Sequence, residues 1–203
     1  LDYGIYALAM SRHAGCWTSL KTLADTMDGG AVVTVDSDRL KVITPQTQGL
    51  TDARFIKRNA GRAQKESVHR EQRLPAAKEF ARVNGLDREV LAGAKRKIGI
   101  VTTGRASRDV YEAMDAIGLT PDIAKTLGLC IFKVGMSWPL EPSVITKFAT
   151  GLETVLVIEH KRPVIEDQLK SLLYGLPNKM RPGIIGKRRA DGTTLFPDTY
   201  VIP

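Results

Sequence analysis

The chain has 203 residues, of which 43% are hydrophobic, enough for a real core in one large domain or in a medium domain with an appended segment. No apolar run approaches the about 18 residues of a membrane span, and Cys16 and Cys130 stand alone without metal-ligand spacing, so membrane-spanning, zinc-binding and disulfide-framework classes are set aside. The net charge of +8 comes from one segment: Arg54 to Lys97 holds thirteen Lys or Arg against five Asp or Glu, and the flanks carry seventeen of each sign.

Residues 1–10, LDYGIYALAM, are apolar but lack a basic n-region and an initiating Met, which argues against a secretory leader and for a piece of a longer chain. Apolar positions at Ile5, Leu8, Cys16, Leu20, Leu23 and Met27 predict helix, interrupted near Gly15. DGGAVVTVD then predicts a turn and a strand over Ala31 to Val35. One helix and one strand cannot close a sheet, so 1–36 reads as the end of another α/β domain. Residues 37–96 read as a basic linker containing helix. Its best helical stretch is PAAKEFARVNGLDREVLAGAKRK, with Pro75 in the first turn and Gly85 ending the first half.

From Lys97 strands and helices alternate. KIGIVTTG, LCIFKVGM and TVLVIEH are strand-like. RASRDVYEAMDAIG is a helix with Val110, Ala113, Met114 and Ile117 on one stripe, EPSVITKFATG a short helix, and PVIEDQLKSLLYG a helix from Pro163 to Gly175. This order predicts an α/β fold, a three-layer, mainly parallel sheet with right-handed crossovers. The tail from Lys187 to Pro203 reads as an exit linker.

Ligands and partners of such sheets gather where strands end and helix N-termini begin. Glu159, His160, Lys161 and Arg162 occupy one such corner, either meeting a charged ligand or neighbouring domain or forming a solvated local ion pair. VTTGRASRD offers Gly104, Arg105 and Ser107 as an anion-site candidate, although it lacks the glycines of a dinucleotide fingerprint and the GK[ST] of a P-loop; Gly104 as a simple tight turn is the other reading. Trp138, before Pro139, is either an interface hot spot or a core aromatic. His13, His69 and His160 are scattered, so no metal site is expected. With Phe55 and Phe80 as its only aromatics, the basic stretch lacks stacking platforms for nucleic acid.

The stretches LDYGIYALAMSRHAGCWTSLK, LPAAKEFARVNGLDREV, IGIVTTGRASRDVYEAMDAIG, FKVGMSWPLEP, GLETVLVIEHKRPVIEDQL and IIGKRRADG, in this order, closely resemble the middle of the long, fused indolepyruvate (2-oxoacid) ferredoxin oxidoreductases. The resemblance implies that 1–36 ends the thiamine diphosphate pyrimidine-binding domain, that 37–96 is the connector, and that 97–186 is a transketolase C-terminal-like domain. It implies a parent homodimer whose other domains decarboxylate a 2-oxoacid on thiamine diphosphate and Mg, pass electrons through [4Fe-4S] clusters to ferredoxin, and transfer the acyl group to coenzyme A; the two lone cysteines make a reducing cytoplasm the expected compartment. No cofactor and no catalytic residue is expected in this chain. Glu159, Lys161, Arg162 and Lys187 match the family as parts of a charged motif, with an organising or interface role. The rival expectations are an anion- or nucleotide-binding regulatory module and a basic nucleic-acid-binding protein.

Overall fold

The computed structural model describes residues 1–36, 38–46, 50, 54–55 and 59–199, which fall into two compact units, Leu1–Asn84 and Gly85–Pro203. Within the expected linker, residues 37, 47–49, 51–53 and 56–58 lie outside the described residues, as do 200–203 of the expected exit segment.

The first unit is helical. Helix α1 (Asp2–Ala14) ends at Gly15, whose φ of 69° is the left-handed C-cap that the sequence break marks. A short α2 (Ala24–Met27) follows. Residues Ala31 to Val35 do not form the expected strand; Val32 is fully exposed and Val35 is 77% exposed. A β-branched run becomes a strand only when a neighbouring ladder takes its N–H and C=O groups, and no described strand of this unit does so.

Helix α3 (Arg62–Val68) runs through a π-helical turn, His69–Arg73, into α4 (Leu74–Val83). Pro75 therefore lies inside a continuous helical run rather than opening one. A proline lacks the N–H and crowds the carbonyl four residues earlier, and the wider π turn around Glu71 accommodates both effects. Met10, His13 and Ala14 of α1 and Ala76, Ala77, Phe80 and Ala81 of α4 are the buried residues of this pair, with the His13 and Phe80 rings 5.8 Å apart.

The second unit is a five-stranded sheet in the order β1-β3-β2-β4-β5. Its strands are β1 (Arg88–Leu91), β2 (Ile98–Thr103), β3 (Leu129–Val134), β4 (Thr154–Ile158) and β5 (Gly183–Ile185). β2, β3, β4 and β5 run parallel; β1 lies antiparallel beside β3 at one edge. The second half of the helix expected over 75–97 is thus an edge strand: REVL alternates poorly as a helix face, and β3 offers it a free ladder.

Helices α5 (Ala106–Ala116) and α6 (Pro121–Leu127) join β2 to β3, α7 (Pro142–Ala149) joins β3 to β4, and α8 (Val164–Tyr174) joins β4 to β5. Val110, Met114 and Ala124 cover one sheet face with Leu91 and Ile131. Ile145, Phe148, Ile165, Leu169 and Leu173 pack on the other with Val101, Val155 and Val157. The apolar stripe of α5 is narrower than its sequence suggests, because Ile117 is 75% exposed.

Leu169 is fully buried at the centre of the α8 face. Leu169→Ala should destabilise this unit by about 3 kcal/mol, from lost burial plus an unfilled cavity. Urea denaturation followed by far-UV circular dichroism measures it; a loss well under about 1 kcal/mol would contradict this packing.

Candidate functional site

The chain goes from β2 to β3 on one side and returns across β2 to reach β4, so the sheet has its topological switch point between the ends of β2 and β4. The loops leaving these two strands diverge to opposite faces. Residues Gly104 to Ser107 and Glu159 to Arg162, both singled out in the sequence, border that point.

Alternation along β4 sends Val155 and Val157 to the α7/α8 face and Ile158 to the other. Continued past the strand, Glu159 falls on the α8 side and His160 on the α5 side. Glu159 is 4% exposed, and both its oxygens accept from the N-terminus of α8: Oε2 from Val164 N at 3.1 Å and Ile165 N at 2.9 Å, Oε1 from Glu166 N at 3.0 Å. It thereby satisfies N–H groups that a buried helix end leaves orphaned, where the helix dipole favours negative charge.

Lys187 is equally buried; its Nζ donates to the Glu159 carbonyl oxygen and, at 3.2 Å, to that of Pro197. Its backbone N donates to Glu166 Oε2 at 2.8 Å, and Lys170 Nζ reaches Glu166 Oε1 at 2.5 Å. A Cβ at Gly186 would collide with the Glu166 carboxylate, so glycine is what admits that buried acid. Burial pushes the Glu159 carboxyl up from its ordinary range, opposed by the three N–H groups and by Lys187. Burial likewise pushes the Lys187 ammonium down, opposed by Glu159, Glu166 and Asp198. Withdrawn from solvent and bonded within their own unit, Glu159 and Lys187 offer no surface to a partner, which corrects their reading as interface residues. Lys187 also belongs to this packed unit and not to a free exit segment.

On the opposite face His160 Nε2 lies 2.9 Å from Asp109 Oδ2, and Arg105 Nε is 3.8 Å from Asp109 Oδ1. Asp109 therefore ties the β2 and β4 loops together across the switch point. Gly104 takes φ 55° with open space where a Cβ would stand, while Ser107 is 4% exposed with its hydroxyl buried between helix and sheet. The first-turn N–H groups of Ser107, Arg108 and Asp109 bond to the Gly104 and Arg105 carbonyls. Gly104, Arg105 and Ser107 thus do not converge into an anion cradle: the serine is sealed off and the arginine is drawn to Asp109.

Trp138 is 62% exposed and so is not a core aromatic. Its loop is held from both sides. Asp87 Oδ1 accepts from Gly135 N at 2.7 Å and Met136 N at 3.0 Å, while Gln168 of α8 donates to Ser137 O and accepts from Leu140 N, both at 2.9 Å. Glu141 then caps α7 through Val144 N at 2.8 Å. Lys161, at φ 59° in the left-handed region, and Arg162 are exposed and form no ion pair with a described residue.

The sequence reading passed over Asp87, Asp109, Glu141, Glu166 and Gln168. Glu141 had a local signal, standing directly before Pro142 at a helix start. Asp87 had none, because its bonding partners lie 48 and 49 residues further along. Among the described residues no group of three or more His, Cys, Asp or Glu could hold a metal ion, and no helix is long and apolar enough to cross a membrane.

Residues 88–202 match the indolepyruvate oxidoreductase domain family. The indolepyruvate oxidoreductase subunit IorA of Methanothermobacter marburgensis is 28% identical over 129 residues, 64% of this chain and 19% of that protein. The IorA subunit of Pyrococcus horikoshii is 34% identical over 91 residues, 45% of this chain and 13% of that protein. A solved 2-oxoglutarate:ferredoxin oxidoreductase from Magnetococcus marinus, with 2-oxoglutarate, coenzyme A and succinyl-CoA bound, is similar at a TM-score of 0.43 and 20% identity over 63% of this chain and 21% of that one. The chain thus spans less than a fifth of the length of these curated relatives.

Burial pushes the Asp87 carboxyl up, against the N–H groups of Met136 and Gly135 and with the neighbouring Glu141 adding to the rise. A carboxyl whose proton is held more tightly in the folded state contributes stability that is present below the ordinary aspartate range and lost as pH rises through the folded value. Asp87→Asn keeps an oxygen for both N–H groups and removes the buried charge, so near pH 7 it should match or slightly exceed the parent. Asp87→Ala should lose about 2 kcal/mol by orphaning both donors. Thermal denaturation across the acid range should show the parent gaining on Asp87→Asn as pH falls; a parent that instead weakens relative to Asp87→Asn would refute the sign.

Proposed function

Since the chain belongs to the indolepyruvate oxidoreductase family, we propose that it is a non-catalytic structural portion of a thiamine-diphosphate-dependent 2-oxoacid:ferredoxin oxidoreductase. In this reading residues 1–36 end a pyrimidine-binding domain, the segment after them connects, and the sheet unit, with β1 and Lys187 included, is a transketolase C-terminal-like domain. The parent is a cytoplasmic homodimer that oxidatively decarboxylates a 2-oxoacid to an acyl-CoA with electrons to ferredoxin.

One observation carries the structural role. The carboxylates Asp87, Glu141, Glu159 and Glu166, set around the strand ends where such sheets bind ligands, are between 3% and 6% exposed. Each accepts a backbone N–H of its own unit. They hold loops and helix ends in place and are turned away from any substrate. The implied cofactors do not fit the residues present: a [4Fe-4S] cluster takes four thiolates, and Cys16 and Cys130 are two, one of them fully buried with Gly93 N on its sulfur. Nor are Glu141, Glu159 and Glu166 free for Mg-diphosphate, since both oxygens of each already accept hydrogen bonds. What the chain supplies to the parent is a rigid sheet that positions neighbouring domains.

Calorimetric titration of the 203-residue chain with thiamine diphosphate plus Mg²⁺, then with coenzyme A, tests this reading, together with an assay for indolepyruvate-dependent dye reduction. Silence in all three is expected. Saturable heat with thiamine diphosphate would overturn the structural role, and saturable heat with coenzyme A would favour a ligand-binding regulatory module.

A further inference from the structure

The strand-end rim sorts its charges. Its four buried carboxylates face inward, whereas Arg105 after β2, Lys161 and Arg162 after β4, and Arg188 and Arg189 after β5 are exposed. Neighbouring strands lie about 4.8 Å apart, so these cations form a row on the order of 10 Å wide. Arg105 is drawn to Asp109, and Arg188 and Arg189 donate within the 188–194 turn. Lys161 and Arg162 are left to carry the outward field, with Asp167 in the first turn of α8 the nearest exposed acid in sequence.

The Trp138 loop is tied to the helix that follows this pair. Gln168 Nε2 donates to both Ser137 O and Val164 O, clamping the tryptophan loop to the first turn of α8, directly after Arg162. Val164 is itself 47% exposed. A loop already pinned by Asp87 and Gln168 presents its indole without further ordering, which is what makes an exposed aromatic an effective anchor.

We infer that Trp138, Val164, Lys161 and Arg162 form a docking surface for an acidic polypeptide segment that carries an apolar side chain among its carboxylates. This goes beyond the structural role proposed above and does not depend on it. Charge complementarity selects an acidic partner. A polypeptide is favoured over a phosphoryl ligand because phosphate is seated by converging free N–H groups. Here the N–H groups of α8 are taken by Glu159, and those of Ser107 to Asp109 in α5 by backbone carbonyls. An exposed cationic pair with an apolar anchor suits flexible carboxylates instead.

The test is fluorescence anisotropy of a fluorescein-labelled peptide repeating Glu-Glu-Leu-Gly, titrated with the full 203-residue chain, beside its Gln-Gln-Leu-Gly counterpart. Saturable binding of the acidic peptide alone is expected, weakening as salt rises. Lys161→Gln with Arg162→Gln should weaken it about tenfold, and Trp138→Ala by a similar factor. All three side chains are exposed, so circular dichroism should show the variants folded. Arg62→Gln with Lys65→Gln, in basic helix α3, should leave binding unchanged. Absence of binding, equal binding of both peptides, or an equal loss in the α3 variant would overturn the inference. So would displacement by inorganic pyrophosphate at lower concentration than by unlabelled peptide, which would identify a phosphoryl site.

Discussion

The carboxylate of Glu159 on the N-terminus of α8 is the interaction on which the rest of the sheet's rim depends. A helix that starts against a buried strand end leaves its first N–H groups without water, and each costs about 1 to 3 kcal/mol if it stays unpaired. Three are satisfied here by one side chain that β4 delivers as it leaves the sheet. The charge this introduces has to be balanced, and Lys187 does so from beyond β5 while bonding the Glu159 carbonyl. The same lysine's backbone N–H completes the second buried acid, Glu166, in the space that Gly186 leaves open. Two distant pieces of sequence, EHKRP and GK, are thus halves of one cluster. Losing either half would leave an uncompensated buried charge, a far larger penalty than the modest net gain from forming the pair.

The same device recurs around the rim. Glu141 caps α7 and Asp87 gathers the two N–H groups that follow β3, so every loop leaving β3 and β4 is tied down by an inward-facing acid. Exposed beside them are Lys161, Arg162, Arg188, Arg189 and Trp138, with Asp167 among the exposed acids. A surface of this kind suits assembly more than chemistry: its acids are spent on rigidity, while its cations and Trp138 are held where another molecule can meet them. The Lys161 backbone, at φ 59°, lies in the left-handed region that a non-glycine residue seldom adopts.

Much of this was legible in the sequence. The alternation from Lys97 onward, with proline at the starts and glycine at the ends of helices, predicts a mainly parallel α/β sheet, and β2, β3, β4, α7 and α8 lie where that pattern puts them. The abrupt turn from an apolar run to Glu159–Arg162 marked a strand end, and the strand does end there. The misses have physical causes. Helix α6 has Thr120 as cap, Pro121 in its first turn and Gly128 at its end, signals that were present and passed over. Residues 88–91 were absorbed into a helix because edge pairing with β3 is a tertiary effect that no local pattern reveals. Ala31 to Val35 have strand chemistry and no ladder to join. Asp87, Asp109 and Gln168 act over 28 to 51 residues of separation, beyond what spacing along the chain can show.

That the rim's acids are committed to the fold is most directly tested by hydrogen exchange of individual amides in the parent and in Glu159→Gln. An amide group in place of the carboxylate can accept at only one position and opposes the remaining donors. The account predicts that the Val164, Ile165 and Glu166 amides exchange at least about tenfold faster in the variant, while amides at the centre of β2 keep their protection. Unchanged protection at the start of α8 would mean that Glu159 does not hold this helix end, and would return its carboxylate to the list of groups available for binding.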